Sequence, residues 1–327
     1  MRAAWYERQG PAAEVLTVGE MDAPELGEGE VLVRLRASGV NPSDVKMRAG
    51  GRGPMAFPRI VPHSDGAGVI EAVGSGVDAA RVGERVWAWN AGWKRAMGTC
   101  AQYVALPAAQ AVRLPEAASF EAGACLGIPA STACHGVFAD GPVEGRWVLV
   151  TGGAGAVGHY AVQLAKWGGA HVIATVSGEE KAVHAAEAGA DHIVNYRTED
   201  VAEAVLDVTS GTGVDRLVEV EFGGNLDVTR RVMAESGTVA AYGSMAVPTP
   251  ALPFYELMFR NLTLRLFLVY ILPADARRTV IDTLTRALEA EALQHRIAAS
   301  YPLEQAATAH ETVEAGRVIG NVVVTTD

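Results

Sequence analysis

A glycine-rich turn near the middle of the chain is the segment whose spacing points most directly to chemistry. An apolar run at 148–151 leads into Gly153-x-Gly155-x-x-Gly158, and residues with helical periodicity follow. Glycines in this register let the backbone turn tightly and approach a pyrophosphate, and the following helix offers N–H groups to its oxygens. Because the glycines stand between a strand and a helix, they predict a dinucleotide site.

The end of the next strand indicates which dinucleotide fits. An NAD site carries Asp or Glu about 20 residues past the glycines, where it holds the ribose 2′-hydroxyl. Here that point is Val176-Ser177-Gly178 and has no carboxylate; Glu179 and Glu180 are expected to start the following helix. Ser177 can donate a hydrogen bond to a phosphate. These residues favour NADPH over NADH.

Composition excludes several other classes of function. The 327 residues carry a net charge of −11, which disfavours nucleic-acid and anionic-membrane partners because both need clustered Lys and Arg. Cys100, Cys125 and Cys134 form no CxxC pair and no even disulfide set, as expected in a reducing cytoplasm. No secretory leader is visible, and the most apolar tract, 262–272, carries Arg265 and is too short for a bilayer. We therefore expect a cytoplasmic protein.

Two kinds of pattern divide the chain. The first 120 residues or so are β-rich, with Gly-rich turns and strands predicted at 30–37, 85–89 and 101–105. Beyond a helical stretch at 120–139, strands and helices alternate, which predicts a parallel, doubly wound sheet. The predicted strands are 148–151, 171–176, 192–195, 216–220 and 238–242, and the predicted helices lie between them at 157–165, 180–188, 201–208 and 226–234.

The tail is mixed. Helices are predicted at 274–292 and 305–315, and a terminal strand at 318–325. A strand after the nucleotide domain would most easily rejoin the N-terminal β domain. The crevice between the two domains would then hold the active site.

Five segments of the chain resemble those of a known family. Its segments SGVNPSDVKMRAG (38–50), PHSDGAGV (62–69), GIPASTA (127–133), GGAGAVG (152–158) and GADHIVNYR (189–197) are similar, in order, to those of the medium-chain dehydrogenase/reductase superfamily. Within it, the zinc-free quinone oxidoreductases related to zeta-crystallin are the nearest group. The resemblance implies an α/β fold: a GroES-like β-rich substrate domain, 1–122 and 267–327, plus a Rossmann dinucleotide-binding domain, 123–266.

The resemblance also bears on metal binding. Zinc-dependent relatives use a Cys, a His and a second Cys or Asp as ligands, and these positions fall on Asn41, on His63 and near Ile128. A single His cannot hold catalytic zinc, which needs about three protein ligands. Only Cys100 lies where relatives carry a four-Cys structural lobe. We expect no metal; His63 is then a hydrogen-bonded structural residue or, as the weaker alternative, a residual ligand.

The remaining site residues are implied by resemblance alone. Lys181 and Tyr196 fall where the family contacts the 2′-phosphate, and Asn41 falls at the nicotinamide end. The full set of implied NADPH-binding residues is Asn41, Thr132, Gly153, Gly155, Ala156, Val157, Gly158, Ser177, Lys181, Tyr196, Gly243, Ser244 and Asn321.

Without a metal, alcohol oxidation lacks its Lewis acid, whereas hydride transfer to a quinone or an enone needs only alignment and hydrogen bonds to the developing oxyanion. Asn41 and Lys46 are the candidate catalytic residues, although the Lys46 ammonium could instead point outward. Asp44 is expected to cap the following turn.

Three activities are weighed. The chain is expected to be an NADPH:quinone oxidoreductase; the alternatives are an NADPH-dependent enone or alkenal double-bond reductase, and a non-catalytic, crystallin-like NADPH-binding protein. A zinc alcohol dehydrogenase is disfavoured because only one of the three zinc-ligand positions, His63, carries a residue that zinc-dependent relatives use. The apolar and aromatic tract 254–270 corresponds to the region through which relatives pair their Rossmann sheets, so a homodimer is expected.

Overall fold

The computed structural model describes residues 1–326, and the chain forms two compact units. Unit 1 comprises Met1–Ile128 and the segment that begins at His295; unit 2 comprises Pro129–Gln294. The strands are β1 Arg2–Trp5, β2 Thr17–Glu20, β3 Glu30–Val40, β4 Asp65–Val73, β5 Arg85–Ala88, β6 Tyr103–Pro107, β7 Ala111–Arg113, β8 Trp147–Val150, β9 His171–Val176, β10 His192–Asn195, β11 Val214–Glu219, β12 Met233–Ala241, β13 Thr263–Leu266, β14 Ile297–Pro302 and β15 Asn321–Thr325. The α-helices are α1 Ala12–Val15, α2 Pro42–Arg48, α3 Phe120–Gly123, α4 Ser131–Phe138, α5 Ala156–Trp167, α6 Glu179–Glu187, α7 Val201–Val208, α8 Leu226–Val232, α9 Phe254–Phe259, α10 Ala274–Glu289 and α11 Ala306–Ala315.

Unit 2 is built on a six-stranded parallel sheet in the order β10-β9-β8-β11-β12-β13. Its central strands are apolar and buried because helices follow most of them, as is usual for parallel sheets. The chain runs outward from β8 to β10 and then returns to β11 beside β8. The strand order therefore reverses between β8 and β11, at whose carboxyl ends ligands bind in folds of this kind.

Unit 1 is a seven-stranded mixed sheet in the order β14-β15-β3-β4-β5-β7, with β6 paired to β3. Alternating residues of β3 and its neighbours, including Val31, Val33, Ile70 and Val86, form a buried cluster. The terminal strand β15 pairs antiparallel with β3, with Val322 opposite Val40. The prediction that the last strand rejoins the N-terminal β domain is confirmed.

The unit boundaries differ from the predicted domain boundaries at both ends of unit 2. Residues 267–294 were assigned to the β-rich domain but belong to unit 2. Within this segment, α10 packs on α4 of unit 2, where Cys134 Sγ lies 3.9 Å from the Val280 carbonyl. Within residues 1–326, no helix combines the length and the apolar character needed to cross a membrane.

Candidate active site

The glycine turn lies at the carboxyl end of β8, and close packing explains its glycines. Gly152 has a positive φ of 66°. A Cβ on Gly158 would collide with the carbonyl oxygen of Gly152, and a Cβ on Gly153 would lie 2.7 Å from that of Ala174. Gly155 is the N-cap of α5 and supplies no side-chain cap. The turn thus requires glycine at positions 152, 153 and 158, and it lies at the start of a twelve-residue helix.

The first turn of α5 leaves backbone donors available to an anion. The first hydrogen bond inside the helix runs from His159 N–H to the carbonyl of Gly155 at 2.9 Å. The N–H groups of Ala156, Val157 and Gly158 precede that bond, so the helix does not use them. With the positive end of the helix dipole they suit a pyrophosphate.

Thr175, which sequence reasoning missed, fixes the start of this turn. Its hydroxyl accepts from Gly152 N–H at 3.1 Å, and its carbonyl accepts from Gly153 N–H at 2.9 Å. A signal was available, because Thr175 is the polar residue in the otherwise apolar run at the end of β9.

Ser177, Lys181 and Tyr196 gather at the carboxyl ends of β9 and β10. Lys181 Nζ donates to Ser177 Oγ at 3.0 Å, and Tyr196 N–H donates to the carbonyl of Val176 at 3.1 Å. The Tyr196 ring is exposed, and α6 begins at Glu179, as expected. A hydroxyl and an ammonium therefore stand where an NAD site carries its carboxylate.

The loops that follow β11 and β12 are joined by hydrogen bonds that occupy Ser244. Its hydroxyl donates to the Val247 carbonyl at 2.6 Å and accepts from Gly223 N–H at 2.9 Å. Gly243 accepts from Phe222 N–H at 2.9 Å. The Ser244 side chain thus holds the two loops together, which sequence reasoning did not anticipate.

Two acidic residues, one at the end of β11 and one in the loop that follows it, were also missed. Glu221 Oε2 accepts from the N–H groups of Met245 at 2.6 Å and Ala246 at 3.0 Å. Glu219 is fully buried at the end of β11, and its Oε1 accepts from Thr151 Oγ1 at 2.8 Å and from Asn225 Nδ2 at 2.9 Å. Burial raises the pKa of Glu219. Both carboxyls shape the edge of the sheet at which the glycine turn lies.

Two more of the implied cofactor residues, Thr132 and Asn321, are buried in their own units. Thr132 is the second residue of α4 in unit 2. Asn321 begins β15 in unit 1, and both its N–H, at 2.8 Å, and its Nδ2, at 3.4 Å, donate to the carbonyl of Arg296. The Asn321 side chain is therefore tied to its own unit.

In unit 1, Asn41 is held by two carboxylates. It is the N-cap of α2, a helix that sequence analysis did not predict, and its N–H donates to Asp44 Oδ2 at 2.8 Å. Its Nδ2 donates to Asp65 Oδ2 at 2.9 Å. The capping role expected of Asp44 is confirmed, and burial raises the pKa of Asp44 to about 7. Lys46 lies half-buried on α2, in the turn after Asn41.

His63 is enclosed in a polar core of unit 1. Its Nδ1 lies 2.8 Å from Ser38 Oγ, its Nε2 lies 2.9 Å from Nε2 of His310, and its backbone has a positive φ of 77°. Burial and the neighbouring His310 lower the pKa of His63 well below its ordinary value. Among residues 1–326, no three His, Cys, Asp or Glu side chains are grouped so as to hold a metal ion.

Comparisons with known proteins cover both units. The model of the alcohol dehydrogenase GroES-like domain matches residues 27–116, and the model of zinc-binding dehydrogenases matches 156–286. The predicted fold class, a GroES-like domain plus a Rossmann domain, is thereby confirmed.

Similar proteins extend over nearly the whole chain. A 2-haloacrylate reductase of Burkholderia sp is 32% identical over 99% of this chain and 98% of its own length. A quinone oxidoreductase of Sus scrofa is 29% identical over 88% of this chain and 85% of its own length. A solved NAD-dependent alcohol dehydrogenase shares 31% identity at a TM-score of 0.90, with both chains covered in full. A solved mycobacterial protein complexed with NADPH shares 30% identity at a TM-score of 0.85, over 99% of this chain and 100% of that one.

Proposed function

Because the chain belongs to the medium-chain dehydrogenase/reductase superfamily, and within it to the zinc-free quinone oxidoreductases, we propose that it is an NADPH-dependent reductase of quinones. The observation that carries the proposal is the glycine turn at the start of α5, with the hydrogen-bonded pair Ser177 and Lys181 at the end of the neighbouring strand. NADPH supplies the hydride when bound; the protein binds and orients it and excludes water.

The residues of unit 2 fit this cofactor. The pyrophosphate would meet the backbone of the glycine turn and the N–H groups of Ala156 and Val157, where a Cβ at Gly158 could not be accommodated. The 2′-phosphate would meet Lys181, Ser177 and Tyr196. An ammonium favours NADPH because a phosphate with nearly two charges needs charged donors.

Zinc independence is supported by the chemistry of the donors in unit 1. Both ring nitrogens of His63 are engaged, with Ser38 and with His310, so neither is offered to a metal. Asn41, at the first ligand position of zinc-dependent relatives, is an amide bound to Asp65 and a poor zinc ligand.

A second candidate activity is the reduction of a conjugated double bond. The similarity to a 2-haloacrylate reductase favours it, because a 2-haloacrylate is an α,β-unsaturated carboxylate. An ammonium at Lys46 would suit both the substrate carboxylate and the negative charge that develops during hydride addition. Asn41 and Lys46 remain the proposed catalytic residues for either acceptor.

The purified protein tests these alternatives directly. NADPH is mixed with matched panels of small quinones and enones, and nicotinamide absorbance is followed; NADH and elemental analysis for zinc are run in parallel. Higher kcat/KM on quinones supports the first proposal, and higher kcat/KM on enones supports the second. NADPH binding by titration without oxidation by any acceptor would leave the non-catalytic NADPH-binding alternative.

We also propose that the protein is a cytoplasmic homodimer. The outer sheet strand β13 and the residues beside it expose large apolar side chains: Phe254, Tyr255, Met258, Phe259, Leu266 and Ile271. Phe259 is 79% exposed and Leu266 is 67% exposed. A strand edge and an apolar patch together favour pairing with a second copy of the chain, which would continue the sheet. The three buried free cysteines suit a reducing compartment.

A further inference from the structure

Asp65, which no prediction singled out, contacts a proposed catalytic residue through its side chain. It is the first residue of β4 and is fully buried. Its Oδ2 accepts from Asn41 Nδ2 at 2.9 Å and from the N–H of Ile128 at 3.0 Å. Two hydrogen bonds donated to one carboxyl oxygen favour the ionised form of Asp65, the form in which it would hold the Asn41 amide most strongly.

Neighbouring glycines leave just enough room for the Asp65 side chain. A Cβ on Gly127 would collide with Asp65 Oδ1, and a Cβ on Gly39 would lie 3.2 Å from Asp65 Cβ. The Thr99 hydroxyl donates to the Asp65 carbonyl at 2.5 Å. Side chain and backbone of Asp65 are therefore both fixed, and a fixed partner fixes the rotation of the Asn41 amide.

The hydrogen bond from Asn41 Nδ2 to Asp65 also determines which hydrogen bonds the Asn41 amide can still make. Nδ2 has two hydrogens, and Asp65 takes one of them. A hydrogen bond to a carboxylate shifts electron density toward the amide oxygen, which makes Oδ1 a stronger acceptor and the remaining N–H a weaker donor. Oδ1 carries two lone pairs, so it can contribute to the cap of α2 and still accept from a ligand.

We propose that Asp65 is a positioning residue that orients and polarises the Asn41 amide, so that Asn41 contacts bound NADPH as a hydrogen-bond acceptor. The partner on the cofactor is then a donor, a ribose hydroxyl or the carboxamide N–H. Stabilisation of the substrate oxyanion falls to Lys46. This inference rests on the proposed NADPH site.

The central test is a double-mutant cycle on NADPH affinity, measured by fluorescence titration of the full-length protein. Asp65→Asn keeps the shape but removes the charge, and we expect NADPH binding to weaken about five-fold. KM for NADPH should rise similarly, and kcat at saturating NADPH should change by a smaller factor than KM. In an Asn41→Ala background, Asp65→Asn should have no further effect on NADPH affinity. An undiminished effect in that background would overturn the proposal.

The reciprocal exchange Asn41→Asp/Asp65→Asn tests whether Asn41 accepts or donates. It restores a carboxylate–amide hydrogen bond, so it should fold even if Asp65→Asn alone does not. An acceptor remains at position 41, and we expect NADPH affinity within about two-fold of wild type. Affinity as low as in Asn41→Ala would mean that Asn41 donates and would overturn the assignment.

Asp44→Asn is the comparison variant, because Asp44 is also a buried carboxylate bound to Asn41, but its main contact is the backbone N–H at 2.8 Å and its interaction with the Asn41 side chain is weaker. It should lower the free energy of unfolding and weaken NADPH binding less than Asp65→Asn does. Equal losses of affinity in Asp44→Asn and Asp65→Asn would indicate a general structural effect and refute the proposal. If the wild-type protein binds no NADPH, the proposed function itself fails; if it binds and Asp65→Asn binds equally well, only the role of Asp65 fails.

Discussion

The Nε2 atoms of His63 and His310 lie 2.9 Å apart, so one of them carries a proton and donates it to the other in a hydrogen bond. Thr99 gives its hydroxyl proton to the Asp65 carbonyl, so Ser38 must donate to Thr99. His63 then donates from Nδ1 to Ser38, and its Nε2 accepts from His310. A further proton would have to go to Nδ1 of His310, a buried atom for which residues 1–326 provide no hydrogen-bond partner.

Acid should therefore destabilise unit 1. Burial, with Arg48 nearby, lowers the pKa of His310 from 6.5 to about 3, and the pKa of His63 is also lowered. Both pKa values rise on unfolding, so below pH 6.5 the unfolded chain binds protons that the folded chain does not. The free energy of unfolding is therefore at its full value above pH 6.5 and decreases as the pH falls below it. For His310 the loss at about pH 5 is about 2 kcal/mol.

Denaturant titrations at about pH 8 and about pH 5 measure this loss as a change in the free energy of unfolding. His310→Gln should reduce the pH dependence, because the introduced amide does not titrate in this range. Equal pH dependence in wild type and His310→Gln would contradict the prediction.

Lys181→Ala should distinguish the two nicotinamide cofactors. Loss of an ammonium facing the 2′-phosphate should weaken NADPH binding roughly ten-fold and leave NADH binding unchanged. Lys166→Ala is the matched control, since it removes a positive charge that pairs with Asp191 elsewhere in unit 2. Equal losses of NADPH affinity in Lys181→Ala and Lys166→Ala would show that Lys181 does not bind the 2′-phosphate. Equal losses of NADPH and NADH affinity in Lys181→Ala would show the same.

Gly158→Ala should abolish dinucleotide binding. The added Cβ would collide with the Gly152 carbonyl, so the turn must open and displace the donors of α5. We expect at least a hundred-fold weaker NADPH binding, on the order of 3 kcal/mol. Wild-type affinity in a correctly folded variant, checked by circular dichroism, would contradict the assigned site.

Lys46→Met tests the proposed role of the ammonium in the reaction. If Lys46 stabilises the developing oxyanion, kcat should fall roughly ten-fold with NADPH affinity unchanged. Lys46→Arg keeps the charge and should recover part of the rate. An unchanged kcat with every acceptor would mean that the side chain points away from the reaction.

Phe259→Glu or Leu266→Lys should produce monomers. Each introduces a charge into the exposed apolar surface beside β13, where a second copy would have to bury it. Light scattering at micromolar concentration should show a dimer for wild type and half that mass for the variants. A monomeric wild type would refute the predicted assembly.

Local patterns were sufficient for much of unit 2. The structure has β9, β10 and α7 at their predicted residues, 171–176, 192–195 and 201–208, because buried apolar runs and turn residues delimit them. The doubly wound sheet and the glycine turn rest on the same local signals, whereas the GroES-like domain was implied by the family resemblance.

Non-local pairing was not visible in the sequence. Nothing in residues 267–294 says that α10 packs on α4, so the boundary of unit 2 at Gln294 could not be located from the sequence. The Asn41 to Asp65 contact and the His63 to His310 contact join residues that are 24 and 247 positions apart. Such contacts depend on tertiary packing, which periodicity does not encode.

The place of β15 between β14 and β3 has a consequence for biosynthesis. All residues of unit 2 leave the ribosome before the two strands that complete the sheet of unit 1. The nascent chain must therefore keep an incomplete N-terminal sheet while its Rossmann domain folds. A chaperone that binds this protein during translation should bind the incomplete N-terminal sheet.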